Sequence, residues 1–154
     1  MGDKYPIVKV AAVQAASVFL DREKSTEKAC RLIREAGQKG ARLIGFPEGF
    51  IPAHPVWYHH HVATGRVANE LAVQLFGNAV EIPGPETDAL CAAARAANAY
   101  VVMGVCEKLP QTIGTMFNTQ IYIGPDGRII GKHQKLVPTV GERLVHMGGF
   151  GDTF

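Results

Sequence analysis

The sequence predicts an α/β layered protein in which helices cover one face of a sheet. Three observations predict it. Short β-like runs alternate with segments of helical period. Two further β-like runs flank a Pro-Asp-Gly turn. The composition is globular, with 47% hydrophobic and 19% charged residues over 154 positions, enough for one ordinary core.

The first run, "VKVAAVQA" from Val8 to Ala15, reads as a strand near the centre of a sheet, because it is almost uninterruptedly apolar. The period then changes. Ala29, Leu32, Ile33 and Ala36 recur at helical spacing, Glu27, Lys28, Arg31, Arg34 and Glu35 form the wet face, and Gly40 offers a stop. "ARLIGFPEGF" returns to a strand that Pro47 must terminate, since proline has no amide hydrogen to give a ladder. Glu48 therefore stands where a strand passes into a loop, the usual position for functional groups in α/β proteins.

"IPAHPVWYHHHVATG" is a loop, and "RVANELAVQLFGNAV" resumes a helix through Val67, Leu71 and Leu75. A turn leads into an alanine-rich helix whose first turn carries Glu86 and Asp88, where acids suit the unpaired amides. "YVVMGVCEK" is a core strand, and "FNTQIYIG" and "RIIGKHQK" form a hairpin around Asp126-Gly127. The closing segment, "KHQKLVPTVGERLVHMGGFGDTF", is rich in turn formers and adds no predicted helix or strand. No repeat, linker or composition break divides the chain, so residues 1–154 read as one domain whose closing elements are missing.

Several function classes are excluded. Sixteen Lys and Arg against fourteen Asp and Glu give a formal charge of +2 with mixed signs, which provides no footprint for nucleic acid, a charged membrane or an acidic partner. Cys30, Cys91 and Cys106 are widely spaced in apolar contexts and read as reduced thiols of an intracellular protein. The start has no secretory core, and no apolar run approaches the roughly eighteen residues of a spanning helix. A cytoplasmic protein is expected. No GxxxxGK[ST] or GxGxxG pattern supports nucleotide binding. His59, His60 and His61 are adjacent, and neighbouring residues point apart on either regular backbone, so they suit a surface loop better than a metal.

Three residues carry candidate chemistry. Glu48 follows the apolar "LIGFP", and a carboxylate against apolar walls would have its pKa raised toward the range of a general base, although a glutamate in a turn also suits plain solvent. Lys135 and Glu142 are separated by "LVPTVG", so only a folded loop can bring them together. Cys106 beside Glu107 could suggest a nucleophile and base. Strand neighbours face opposite ways, however, and Cys106 reads as core.

In combination, "FPEGFIPAHP", "GKHQKLVPTVGER" and the opening "VKVAAVQAASVFLD" resemble the nitrilase branch of the carbon-nitrogen hydrolase superfamily, nearer to true nitrilases and cyanide-hydrolysing relatives than to amidases. The resemblance implies a layered αββα sandwich, incomplete at its C-terminal side, of which residues 1–154 are the N-terminal part. It implies hydrolysis of an organic nitrile to a carboxylic acid and ammonia. Glu48 matches the general base, Lys135 the lysine and Glu142 the supporting carboxylate. The nucleophilic cysteine belongs to a motif like CxEN or CWEH that would lie past Phe154, and none of the three cysteines present has that context. His54, Trp57 and Tyr58 are positioned to line a substrate pocket or to pack the loop. The resemblance calls for no metal or organic cofactor. It implies as partners a small nitrile and either further copies of the chain or a complementary C-terminal portion. The alternatives are a non-catalytic truncated homologue serving as an assembly module, and an amidase or cyanide-hydrolysing relative.

Overall fold

In the computed structural model, residues 4–151 are described. They form a five-stranded sheet in sequence order: β1 (Val10–Ala12), β2 (Leu43–Gly45), β3 (Tyr100–Lys108), β4 (Met116–Ile123) and β5 (Ile129–Gln134). The first two pairings are parallel and the last two antiparallel. Helix α1 (Arg22–Gln38) connects β1 to β2, while α2 (Arg66–Gly77) and α3 (Pro85–Ala97) lie between β2 and β3. Parallel neighbours need such crossovers; β4 and β5 need only the turn at residues 124–128, closed by Gly124 N to Arg128 O at 2.8 Å and Gly127 N to Gly124 O at 2.9 Å.

The local chemistry of each element matches its boundaries. Asp21 caps α1 by accepting from Lys24 N at 2.9 Å, and Ala29, Cys30 and Ile33 form its buried stripe. Pro85 occupies the first turn of α3, where its missing N–H costs nothing, and Glu86 and Asp88 sit beside the exposed amides as expected.

The two faces of the sheet differ. Ile44, Val101, Met103, Val105, Ile121 and Ile123 point to one face and pack against Ala29, Ile33, Leu90, Ala93 and Ala94 of α1 and α3. That is the predicted helix-covered face. Helix α2 instead sends Ala68 and Leu75 into a second cluster with Leu20, Ala53, Trp57, Cys106 and Met116, which closes one end of the opposite face. The rest of that face is open among the described residues: Val10, Leu43 and Tyr100 share one register line and are exposed by 61%, 39% and 50%.

The expectation of a central position for the first strand does not hold among the described residues. β1 has three residues and lies at the edge of the sheet, paired with β2 alone. An apolar run reports the character of its surroundings and not which strands flank it, so the period of "VKVAAVQA" could not fix its place.

Candidate active site

The open face positions the site. Side chains alternate along β3 and β4, so Cys106 and its ladder partner Asn118 point to the open face while Glu107 and Thr119 point to the other. The chain leaving β2 crosses directly over β3 at Gly104. A Cβ there would collide with the Pro47 carbonyl and lie 2.8 Å from Gly49 N and 2.9 Å from the Glu48 Cα. Glycine at 104 thus lets the Glu48 backbone rest against the strand. Lys135 immediately follows β5 and is held in line by its amide, which donates to Asn118 O at 2.8 Å. Glu142 lies in a short 3₁₀ turn, Val140–Leu144, and caps that turn itself by accepting from Thr139 N at 2.8 Å.

Glu48 meets Lys135 and Glu142 there from 87 or more positions away in sequence. Lys135 Nζ donates to Glu48 Oε1 at 2.8 Å and to Glu142 Oε2 at 2.6 Å. Asn118 Nδ2 donates to Glu48 Oε1 at 2.5 Å and to Glu142 Oε1 at 2.7 Å. The two carboxylates are not equivalent. Glu142 has a side chain only 3% exposed and receives donors on both oxygens, whereas Glu48 is 50% exposed and both of its bonds fall on Oε1.

The electrostatics follow from the donors. Burial pushes the Glu142 carboxyl up, but the Lys135 ammonium, the Thr139 amide and the Asn118 amide outweigh it and hold the group at about 2. Burial also pushes Glu48 up, and again Lys135 and Asn118 reverse the sign, leaving it below the ordinary glutamate value. The rise expected from the apolar "LIGFP" context is therefore not found at Glu48, because two donors outweigh the burial. Burial pulls Lys135 down, but its bonds to Glu142 and Glu48 leave it raised and charged. His146, on the next turn, has Nδ1 3.4 Å from Glu142 Oε1; burial drives it down to about 4, so it is neutral near pH 7.

Glu48, His54 and Glu142 also place one ligand atom each within 4.8 Å of one another, a spacing open to a cation. The Lys135 ammonium already lies 2.8 and 2.6 Å from those two carboxylates and supplies the positive charge a metal would bring. His59, His60 and His61 are exposed and belong to no such cluster among the described residues.

A cavity of about 420 Å³ opens beside the ion cluster, lined by Glu48, Asn118, Gln120, His133, Lys135 and Leu136. Trp57 is 3% exposed, packs edge-on to Phe19 in the second cluster, and does not line this cavity. Tyr58 lies against Trp57 and Gly141 instead. Of the three aromatic-loop residues, His54 is the one beside the carboxylates.

The pattern of the carbon-nitrogen hydrolase family matches residues 9–153. The chain is 45% identical over 136 residues to Nitrilase 2 of an unknown prokaryotic organism, covering 88% of this chain. The chain belongs to the carbon-nitrogen hydrolase family. It is also 38% identical over 147 residues to a nitrilase of a Bacillus species, covering 96% of this chain. It spans 43% and 42% of the lengths of those two relatives. The fold matches yeast Nit3, a member of branch 10 of the nitrilase superfamily, with a TM-score of 0.72 at 23% identity over 95% of this chain and 50% of that one. An amidase from a Nesterenkonia species matches with a TM-score of 0.65 at 18% identity, over 93% of this chain and 48% of that one. The described sheet with α1 and α3 is thus one sheet and one helical layer of the αββα sandwich.

Within this carbon-nitrogen hydrolase chain the cysteines stand apart from the ion cluster. Cys30 and Cys91 belong to α1 and α3, on the covered side of the sheet. Cys106 is on the site side but fully buried; its thiol donates to Ala53 O at 3.2 Å, and burial with Glu142 and Glu48 nearby pushes it up to about 12. Glu107 serves a separate buried cluster, accepting from Thr119 Oγ1 at 2.7 Å, Gln134 Nε2 at 2.9 Å and Lys132. Sequence reasoning missed Asn118. "FNTQIYIG" reads as a strand, and the only available signal was a polar residue on the same face of the hairpin as Lys135.

Proposed function

We propose that this chain contributes the carboxylates and lysine of a nitrilase-type site that hydrolyses an organic nitrile to a carboxylic acid and ammonia, with a cysteine nucleophile from outside residues 1–154. The observation that carries the reading is the Lys135 ammonium held between a saturated Glu142 and a half-exposed Glu48 at the mouth of a cavity. Two carboxylates with one lysine are given separate roles by their surroundings. Glu142, bonded on both oxygens, is a fixed anion that keeps Lys135 charged and in place. Glu48, with one oxygen uncommitted among the described residues, is the proton carrier.

In this reaction the thiolate adds to the nitrile carbon, and the nitrogen takes a proton, giving a thioimidate. Water, losing a proton to Glu48, adds to the same carbon; ammonia leaves with a returned proton, giving a thioester. A second water, activated in the same way, releases the acid and the thiol. Lys135 stands beside the charge that develops during each addition, where a preorganised cation lowers the barrier most. His54 lies beside the carboxylates, within reach of a substrate held there, while Trp57 and Tyr58 pack behind the loop.

The open sheet face supports the partner reading. Val8, Val10, Leu43, Tyr100 and Ile130 form an exposed apolar surface of the kind that a further layer covers, and a complementary C-terminal portion is the proposed occupant, with self-association as the competing one. No helix of the described residues is long and apolar enough to cross a membrane; a cytoplasmic location is proposed. The test is ammonia release from an aromatic nitrile and from its amide, by the chain alone and co-expressed with a cysteine-bearing C-terminal portion. Release from the nitrile by the pair alone supports the reading. Release from the amide only makes the protein an amidase, and no release from either substrate by the folded pair rejects hydrolysis and leaves an assembly module.

A further inference from the structure

We propose that Asn118 is the positioning residue of this site: its single side-chain nitrogen ties the Glu48 and Glu142 carboxylates into one frame and leaves Glu48 Oε2 as the proton-accepting oxygen. The naming of that oxygen rests on the reading above; the frame itself does not. Asn118 is 5% exposed, bonds both carboxylates through its side chain and holds the Lys135 backbone through its own. Its Nδ2 lies 2.5 Å from Glu48 Oε1 and 2.7 Å from Glu142 Oε1, and its backbone carbonyl accepts the Lys135 amide at 2.8 Å.

The chemistry of an amide suits this place. An NH₂ group has two hydrogens in fixed, diverging directions, and each is aimed at a different carboxylate, so both donors are used and neither acid can turn independently. The amide orientation is fixed by the same contacts, because the reverse arrangement would bring Oδ1 against two anionic oxygens. The donor is also neutral. It steadies two anions without competing with Lys135 for either charge.

The consequence is an asymmetry between the acids. Lys135 and Asn118 both bond Glu48 through Oε1, and among the described residues no hydrogen bond reaches Glu48 Oε2. Glu142 has donors on both oxygens. Were Asn118 to serve Glu142 alone, Glu48 could swing about its bond to Lys135 and present either oxygen. The strand fixes which one is presented, since Asn118 lies within β4 opposite Cys106.

The experiment is a carbon-13 NMR titration of the Glu48 and Glu142 carboxyls in this chain, comparing the native protein with Asn118→Ala and Asn118→Asp. In Asn118→Ala both midpoints move upward together, because each acid loses one donor. In Asn118→Asp they move further, because a third carboxylate now shares one ammonium. In the native chain, both Asn118 amide hydrogens exchange at least about tenfold more slowly than those of the exposed Asn98. Unmoved midpoints in folded Asn118→Ala, with only a loss of stability, reduce Asn118 to a structural residue and overturn the proposal. So does Asn118 exchange as fast as Asn98, which decides the matter even if neither variant folds. A chain whose carboxyls shift as described, yet whose pairing releases no ammonia, refutes the nitrilase reading and leaves the Asn118 frame standing.

Discussion

Tyr58 and Gly141 are in contact so close that a Cβ on Gly141 would fall 2.6 Å from the Tyr58 Cβ. The aromatic loop following Glu48 thereby presses on the turn that carries Glu142. Position 141 is glycine because the contact is backbone to near-backbone and cannot be relieved by rotating a flexible side-chain tip.

Gly141→Ala is accordingly expected to cost about 1–3 kcal/mol, the usual range for an added methyl in a tightly packed place. The displaced turn also pulls Glu142 away from Lys135. Urea unfolding measures the first effect and the Glu142 titration the second. A variant of native stability with an unmoved Glu142 would show that Tyr58 does not hold this turn.

Replacing Lys135 by Met leaves Glu142, 3% exposed, with no cationic partner in the cluster. A buried charge stripped of its partner costs about 3–5 kcal/mol, and the partial exposure of Lys135 and the remaining amide donors reduce that to about 2–3 kcal/mol here. The Glu142 midpoint rises from about 2. Combining Lys135→Met with Glu142→Gln should restore most of the lost stability; a double variant as weak as the single one would locate the cost elsewhere.

Acid should weaken the fold in two stages. His146 has a folded value of about 4 against an ordinary value of 6.5, so the unfolded chain binds its proton first and stability is lost as the pH falls from 6.5 through 4. Glu142 has a folded value of about 2 against 4.5, so its contribution is present above 4.5 and is lost as the pH falls through 2. Each stage is worth up to about 3 kcal/mol by linkage. Unfolding free energies measured across this range should lose the upper stage in His146→Phe and the lower stage in Glu142→Gln. Unchanged slopes in both variants would contradict the assignment.

Cys106 should be the last of the three thiols to react with an alkylating reagent. It is 0% exposed and its thiol is pushed up to about 12, whereas Cys91 is only half-buried. Mass spectrometry of the native chain after timed alkylation should show Cys91 modified well before Cys106. Equal rates would mean that the second core cluster opens readily.

The helices, strands and hairpin were legible because their causes are local. Gly40 after α1, Pro47 after β2 and Asp126-Gly127 between β4 and β5 act on their own neighbours, and the 3.6 and 2.0 periods need no knowledge of the rest of the chain. Glu48, Lys135 and Glu142 could be singled out by residue type, by position at element ends and by resemblance to a family. Their meeting could not be read from spacing, since Lys135 and Glu48 are 87 positions apart and bond only after β3 and β4 have formed between them. Tertiary structure decided the rest. Among the described residues it placed β1 at the sheet edge, gave Glu48 two donors that outweigh its burial, sent Trp57 into the core, and brought Asn118 between the acids. Each of these depends on which strand lies beside which and on what faces a side chain across the sheet, which sequence order alone does not encode.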